Sequence, residues 1–195
     1  AVTGALRRRA IAGFLGLLLP AAAQAAVHVL VITGLGGEEA YVQRFEDWSG
    51  RIATASATAT GDAASVRRLS GDEARAPAVE RAFRELARAM DAGDQAIVVI
   101  VGHGSHDGSD YRLNLPGPDL TATQVAALLD SLPSSAPQLV VNATSASGSV
   151  VDAWQRPHRA VVAATRSAGE RNATRFAGFW AEALETDGAD RDKDG

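Results

Sequence analysis

Four short runs of branched apolar residues recur along this chain, and their spacing limits its fold more than any other feature. Val27–Thr33, Gln95–Val101, Gln138–Ala143 and Ala160–Thr165 are each too short for a buried helix and rich in valine, isoleucine or alanine. Runs of that length bounded by glycine or polar turns read as strands buried on both faces, the kind found in parallel sheets. Ser65–Leu69 is a weaker, more polar strand candidate between the first two. Parallel neighbours need crossover connections, so the stretches between the runs should contain helices. The expected architecture is α/β: one three-layer domain over 27–186, with a mostly parallel central sheet and helices on both faces.

The connecting stretches fit that reading. Glu38 to about Trp48 has helical character, and Ala53–Ala64, small and polar with poor periodicity, is expected to be a loop or frayed helix end. Pro77 can open a helix, in which Val79, Phe83, Leu86 and Met90 recur on one face. The segment after Gly104 is rich in Gly, Asp and Pro and is expected to run as a loop to Asp119. Thr121 followed by Gln124 has the form of a capping box, and its helix should reach about Leu132. A short helix should end at Trp154, and a last one should run from Asn172 to about Glu185, with Phe176, Phe179 and Leu184 inward. No internal repeat or second domain is visible.

The two ends read differently from the middle. Arg7, Arg8 and Arg9 precede the apolar stretch Ala10–Leu19, and Pro20 leads into Ala21-Ala22-Ala23-Gln24-Ala25-Ala26. Basic, apolar and A-x-A segments in that order are the layout of a secretory signal peptide, here 1–26. The apolar stretch is short for a bilayer span. The expected location is therefore exported, periplasmic or extracellular, with no stable membrane span after cleavage. The other end, 187–195, is an acidic tail closing on Asp190-Arg191-Asp192-Lys193-Asp194-Gly195. D-x-D-x-D-G is how an EF-hand loop begins, so Asp190, Asp192 and Asp194 are candidate metal ligands and the chain is expected to be a fragment cut inside such a loop. Without the bidentate glutamate that closes the loop, calcium would be held only in a longer protein. No other cofactor is required.

Composition narrows function. The net charge is −4, and losing three leader arginines makes it −7, which argues against a nucleic-acid partner. There is no cysteine among the 195 residues, which excludes disulfides, thiolate metal sites and a thiol nucleophile.

In open parallel sheets ligands bind beyond the carboxyl ends of the strands. Three polar turns fall there: Gly102–His106, Thr144–Ser149 and Thr165–Glu170. His103 lies between two glycines directly after a buried strand, as would suit a general base with a free backbone donor beside it; a structural role capping the strand end is the other reading. His106 reads as a loop residue, His28 and His158 as structural or solvent-facing. Arg166 could hold a carboxylate, or be an ordinary surface arginine. Gly34-Leu35-Gly36-Gly37 could serve a small ligand, but it lacks the Lys-Ser/Thr of a P-loop. No G-x-S-x-G elbow is present.

The run Val99-Ile100-Val101-Gly102-His103-Gly104-Ser105, followed at the next strand's end by Ala143-Thr144-Ser145-Ala146-Ser147-Gly148-Ser149, resembles the legumain-like (C13) peptidases of the caspase–haemoglobinase group. Val162-Ala163-Ala164-Thr165-Arg166-Ser167, with Asn172 and Phe176, resembles the family's next strand and substrate-side loop. The resemblance covers roughly 27–186 and implies a caspase-like fold and a peptide or protein partner. It implies His103 as base, Gly104 as oxyanion donor, and Ser105, Asn142, Thr144, Ser147, Arg166 and Ser167 around the substrate. The family's nucleophilic cysteine is replaced by Ser145, or by Thr144 if the alignment is anchored on Asn142-Ala143. The acidic residue two positions earlier becomes Ala143 or Asn142 respectively. A serine hydroxyl is a far weaker nucleophile than a thiolate unless a base touches it. Three readings follow: an inactive or weakly active peptide-binding homologue of these peptidases, a serine hydrolase using Ser145 (less readily Thr144 or Ser147) and His103 with Asp107, Asp110 or Asp119 orienting the histidine, or a small-ligand binder built around Gly34–Gly37.

Overall fold

The computed structural model describes residues 25–186. Residues 1–24 of the expected leader, and the tail with Asp190, Asp192 and Asp194, lie outside the described residues.

Five strands make the central sheet: β1 (Val27–Thr33), β2 (Val66–Leu69), β3 (Gln95–Val101), β7 (Gln138–Asn142) and β8 (Arg159–Ala163). All four pairings are parallel, in the order β2-β1-β3-β7-β8. Period-two alternation divides their side chains between two cores. Val29, Val31, Val99, Val101, Val141 and Ala143 face one side, where α1 (Glu39–Thr60) and α5 (Phe176–Glu185) supply Phe45, Ile52, Ala177 and Ala181. Leu30, Ile32, Val98, Ile100 and Val140 face the other, against α2 (Ala76–Ala89), α3 (Ala122–Asp130) and α4 (Val151–Trp154), which bring Val79, Phe83, Val125, Leu129 and Trp154. Each fully buried aliphatic side chain is worth about 1.5–3 kcal/mol, and both faces of the sheet are filled. The expected three-layer α/β domain is what forms.

Three local expectations need correction. First, α1 runs through the stretch read as a loop and stops only at Gly61, whose left-handed backbone (φ 68°) closes it. Ala and Thr give that stretch a weak apolar pattern, but Ile52 is fully buried and anchors the middle of the helix. Second, the segment after Gly104 folds as a three-stranded antiparallel sheet of β4 (Gly104–His106), β5 (Tyr111–Leu113) and β6 (Leu120–Thr121). Asp107 builds its turn by accepting from the backbone N–H groups of Ser109 and Asp110, both at 2.9 Å. Tyr111, Leu113, Leu115 and Leu120 point inward and join the core, which the polar composition between them concealed. Third, α5 begins at Phe176, and its inner side is Ala177 and Ala181; Phe179 and Leu184 are 61% and 43% exposed. Small residues let α5 lie close on α1: a Cβ on Gly178 would stand 2.8 Å from the Trp48 ring.

Thr121 does cap α3, accepting from Gln124 N–H while the Gln124 side chain returns to the Thr121 backbone. Among the described residues no helix is long and apolar enough to cross a membrane.

Candidate functional site

The sheet order reverses at β1. β2 lies on one side of it and β3 on the other, and the loops after β1 and β3 meet at the carboxyl edge, where Gly34 N–H donates to Val101 O. The turns after β7 and β8 continue that edge. His103 lies there, two residues past the end of β3.

The His103 ring is held by α1. Tyr41 and Phe45, one helical turn apart, meet it edge-on with centroids 5.0 and 5.1 Å away. His103 Nε2 lies 3.2 Å from the Gly36 carbonyl oxygen. A carbonyl can only accept, so Nε2–H donates, and in the neutral ring the lone pair is left on Nδ1. Gly36 owes its place to a tight fold of the β1 loop: a Cβ there would collide with the backbone of Val42. In the same loop Gly34 N–H donates to Val101 O at 2.7 Å and Leu35 N–H to Asn114 O at 2.8 Å. These two donors are therefore spent on the protein itself and are not free for a phosphate.

Ser145 follows β7, the neighbour of β3. It is 0% exposed, and its hydroxyl has no hydrogen-bond partner. It therefore shares no hydrogen bond with His103. Thr33, at the end of β1 on the other side of β3, is 2% exposed with a hydroxyl in the same condition. Two unpartnered buried hydroxyls thus sit at the ends of the strands on either side of the one that carries His103.

The other expected site residues divide into buried and exposed groups. Asn142, Thr144 and Ser147 are all 0% exposed. Thr144 Oγ1 lies 2.7 Å from Tyr111 Oη and donates to Asn142 Oδ1 at 2.8 Å. Burial pushes the Tyr111 phenol up to about 12, against hydrogen bonds from Thr144 and Asn142 that act the other way. Ser147 Oγ accepts from Thr165 N–H, and Thr165 Oγ1 accepts from Gly148 N–H, tying the β7 turn to the end of β8. These three side chains are buried, and their polar atoms bond to neighbouring protein groups because a buried polar group needs a partner. Gly104 is buried, and a Cβ there would strike the Ser145 carbonyl oxygen, the Tyr111 ring and Thr144 Oγ1. Only glycine lets β4 pass beneath the β7 turn.

Ser105, Arg166 and Ser167 are exposed. Ser105 Oγ accepts from Asn114 Nδ2 at 3.2 Å. The backbone N–H groups of Arg166 and Ser167 both donate to Glu170 Oε1, at 2.8 and 3.1 Å, which shapes the β8 loop. That loop borders a cleft of about 640 Å³ lined by Thr165, Glu170, Arg171, Arg175, Phe176 and Phe179. The Arg175 guanidinium lies 5.8 Å over the exposed Phe179 ring. None of Asp107, Asp110 or Asp119 is a hydrogen-bond partner of His103. Asp107 is held well below the usual carboxylate range by the Ser109 hydroxyl and the Ser109 and Asp110 amides, and Asp119 is bonded to Asn114 and Leu115.

Sequence reasoning missed Tyr41, Phe45 and Thr33, and it read Gly36 as part of a ligand turn where its carbonyl accepts from His103. The four-residue spacing of Tyr41 and Phe45 just after a glycine-rich turn is the signal that could have found the histidine's packing. Thr33, one more polar residue at a strand end, carries none.

A five-stranded parallel sheet of this order with helices on both faces is matched by a solved structure of caspase-like fold. Caspase-1 from Spodoptera frugiperda has this fold, with a TM-score of 0.57 over 83% of this chain and 69% of that one at 9% identity. Protein GSU0716 from Geobacter sulfurreducens matches with a TM-score of 0.52 and 20% identity, over 83% of this chain. The chain spans 66% of the length of that protein. At such identities the likeness speaks for the fold alone. No family model and no curated protein matches the chain.

Proposed function

We propose that this domain is an exported, legumain-like peptidase homologue that binds peptide and has lost, or nearly lost, cleavage. The observation that carries the reading is Ser145: it stands where the resemblance puts the nucleophile, yet it is fully buried and unbonded to His103. A serine needs a base in contact to attack a carbonyl. Here the histidine donates from Nε2 to Gly36 instead. The peptide-binding part is supported by the exposed strip at the sheet's carboxyl edge. Arg166 lies on the same turn as the cleft lined by Arg171, Arg175 and Phe179. A guanidinium there would take a carboxylate in a two-pronged bond, so an acidic side chain or a free carboxyl end is the favoured ligand group.

The test pairs a fluorophosphonate probe with mass spectrometry. The proposal expects no labelled serine, together with saturable binding of acidic peptides that Arg166→Ala weakens. Labelling of Ser145 that vanishes in His103→Ala would replace it with the serine-hydrolase reading. Ser145→Cys tests the burial argument: peptides ending in Asn or Asp are expected to stay uncleaved, and His103-dependent cleavage would show that the position is reachable and overturn the loss of activity. A longer form of the chain that completes the loop begun by Asp190, Asp192 and Asp194 is expected to bind calcium, read by calorimetric titration.

A further inference from the structure

At the opposite edge of the sheet, away from the candidate site, one carboxylate holds the beginning of the domain. Asp94 precedes β3 and is only 6% exposed. Its Oδ1 accepts from the Ala26 backbone N–H at 2.8 Å. Its Oδ2 accepts from Asp91 N–H at 2.8 Å and lies 3.0 Å from His28 Nε2. One residue on, Gln95 N–H donates to the Ala26 carbonyl at 2.8 Å. Ala26 is therefore gripped at both its nitrogen and its oxygen by consecutive residues, just before β1 begins. Ala25 and Ala26 are nonetheless exposed. A cleft of about 340 Å³ lined by Ala25, Ala26, Val27, Ala59, Thr60, Asp62 and Ser65 runs beside them.

The sequence immediately before Ala26 is Ala23-Gln24-Ala25. An export peptidase that recognises A-x-A cuts after its second alanine, which here is the Ala25–Ala26 bond. We propose that this bond is the processing site and that Asp94 receives the amino terminus the cut creates. This places the boundary one residue earlier than the sequence suggested, and it rests on the export reading but not on the peptidase reading. Water adds across the bond; Ala25 leaves with the carboxylate, and the Ala26 amine keeps the proton that makes it an ammonium at neutral pH. The nitrogen that donated as a neutral amide then donates as a cation to the same buried carboxylate. A charge-assisted bond of this kind is roughly twice as strong as a neutral one. The titratable groups beside that nitrogen are Asp94, which bonds it, His28 on β1, which lies against Asp94, and Asp62, which lines the same cleft. Processing would thereby tighten the β1–β3 edge as well as release the domain.

Expression of the full 195-residue chain in an exporting bacterial host, with intact mass and amino-terminal sequencing, is the first measurement. The expected terminus is Ala26. A secreted product starting at Gln24, Val27 or elsewhere overturns the assignment while leaving export intact. A chain that is neither exported nor cut overturns the export reading with it. The second measurement uses the exported, processed protein. Lys193 is its only lysine, so the α-ammonium can be titrated by amine-selective acetylation. Its pKa is expected to rise from the ordinary value of about 7.7–8.0 to about 9, and to fall back in Asp94→Asn. The ammonium's contribution is complete below its unfolded pKa and lost as pH rises through its folded one. The acetylated protein, which keeps Asp94, should therefore melt at a lower temperature at pH 7 and at the same temperature as the unacetylated protein above about pH 10. An ordinary ammonium pKa, or melting unchanged by acetylation at pH 7, overturns the role of Asp94 even if Asp94→Asn fails to fold.

Discussion

Ser145 has a hydroxyl in a place that offers it no partner. Burying a hydroxyl without a hydrogen bond costs about 1–3 kcal/mol, whereas a thiol, a weak donor that behaves as a small hydrophobe, would sit there at little cost. The position thus suits a small apolar side chain better than a hydroxyl. Ser145→Ala removes the orphan oxygen and little volume, and is expected to stabilise the domain by about 1 kcal/mol in urea unfolding; a loss of 1 kcal/mol or more would mean that the hydroxyl is satisfied after all. The residue types at the site were legible from the sequence: His103 between glycines at a strand end, and hydroxyls at the next one. Their accessibility was not. Asn142 and Thr144 look identical to surface residues until Tyr111, folded back from a segment that reads as loop, closes over them. Burial of that kind depends on a contact between residues some thirty positions apart, and local patterning does not carry it.

At the level of elements, the four longer strands of the central sheet were readable because each is a branched apolar run bounded by turns, whereas β2 is shorter and more polar and β4–β6 read as loop. The helices were legible where they carry a sharp apolar stripe, as α2 does. They were misjudged where tertiary packing decides. α5 presents Ala177, Gly178 and Ala181 to its neighbours and turns Phe179 and Leu184 outward, so that of the three large residues expected inward only Phe176 packs against the core. The close approach has a consequence. Gly178→Leu would force a side chain into the Trp48 ring, and overpacking of this type costs about 1–3 kcal/mol. The loss should appear in urea unfolding, and Trp48 fluorescence should change in the folded state. A Phe179→Ser control, altering an outward residue of the same helix, should cost less than about 0.5 kcal/mol. If the two variants were equally tolerated, α5 would not be packed on α1 through its small residues.

On the scale of the molecule, three carboxylates tie together parts of the chain that are far apart in sequence. Asp94 joins the segment before β1 to the start of β3. Glu185, at the end of α5, takes a two-pronged bond from Arg51 in the middle of α1. Asp130, at the end of α3, accepts from Arg156 and lies 2.9 Å from the buried Arg159 of β8. Each is held below its ordinary pKa. The amides of Asp91 and Ala26, then His28, bring Asp94 from 3.8 to about 2; the Arg51 hydrogen bond lowers Glu185. Burial works hardest on Asp130 and opposes its charge, but the hydrogen bonds from Arg156 and Arg159 together outweigh it. A carboxylate with a depressed folded pKa contributes stability that is present above its unfolded value and lost as pH falls through its folded one. For Asp94 that window runs from 3.8 down to about 2. Because the three ties lie at different edges of one cooperative domain, their losses should add as one acid transition. The melting temperature is expected to be level from about pH 7 to pH 5 as far as these groups decide it, and to drop steeply between about pH 4 and pH 2. Asp94→Asn should melt lower at pH 6 and lose less on acidification, so that its curve approaches that of the parent near pH 2. A parallel curve, offset equally at every pH, would show that the charge on Asp94 contributes nothing and that its hydrogen bonds alone hold that edge of the sheet.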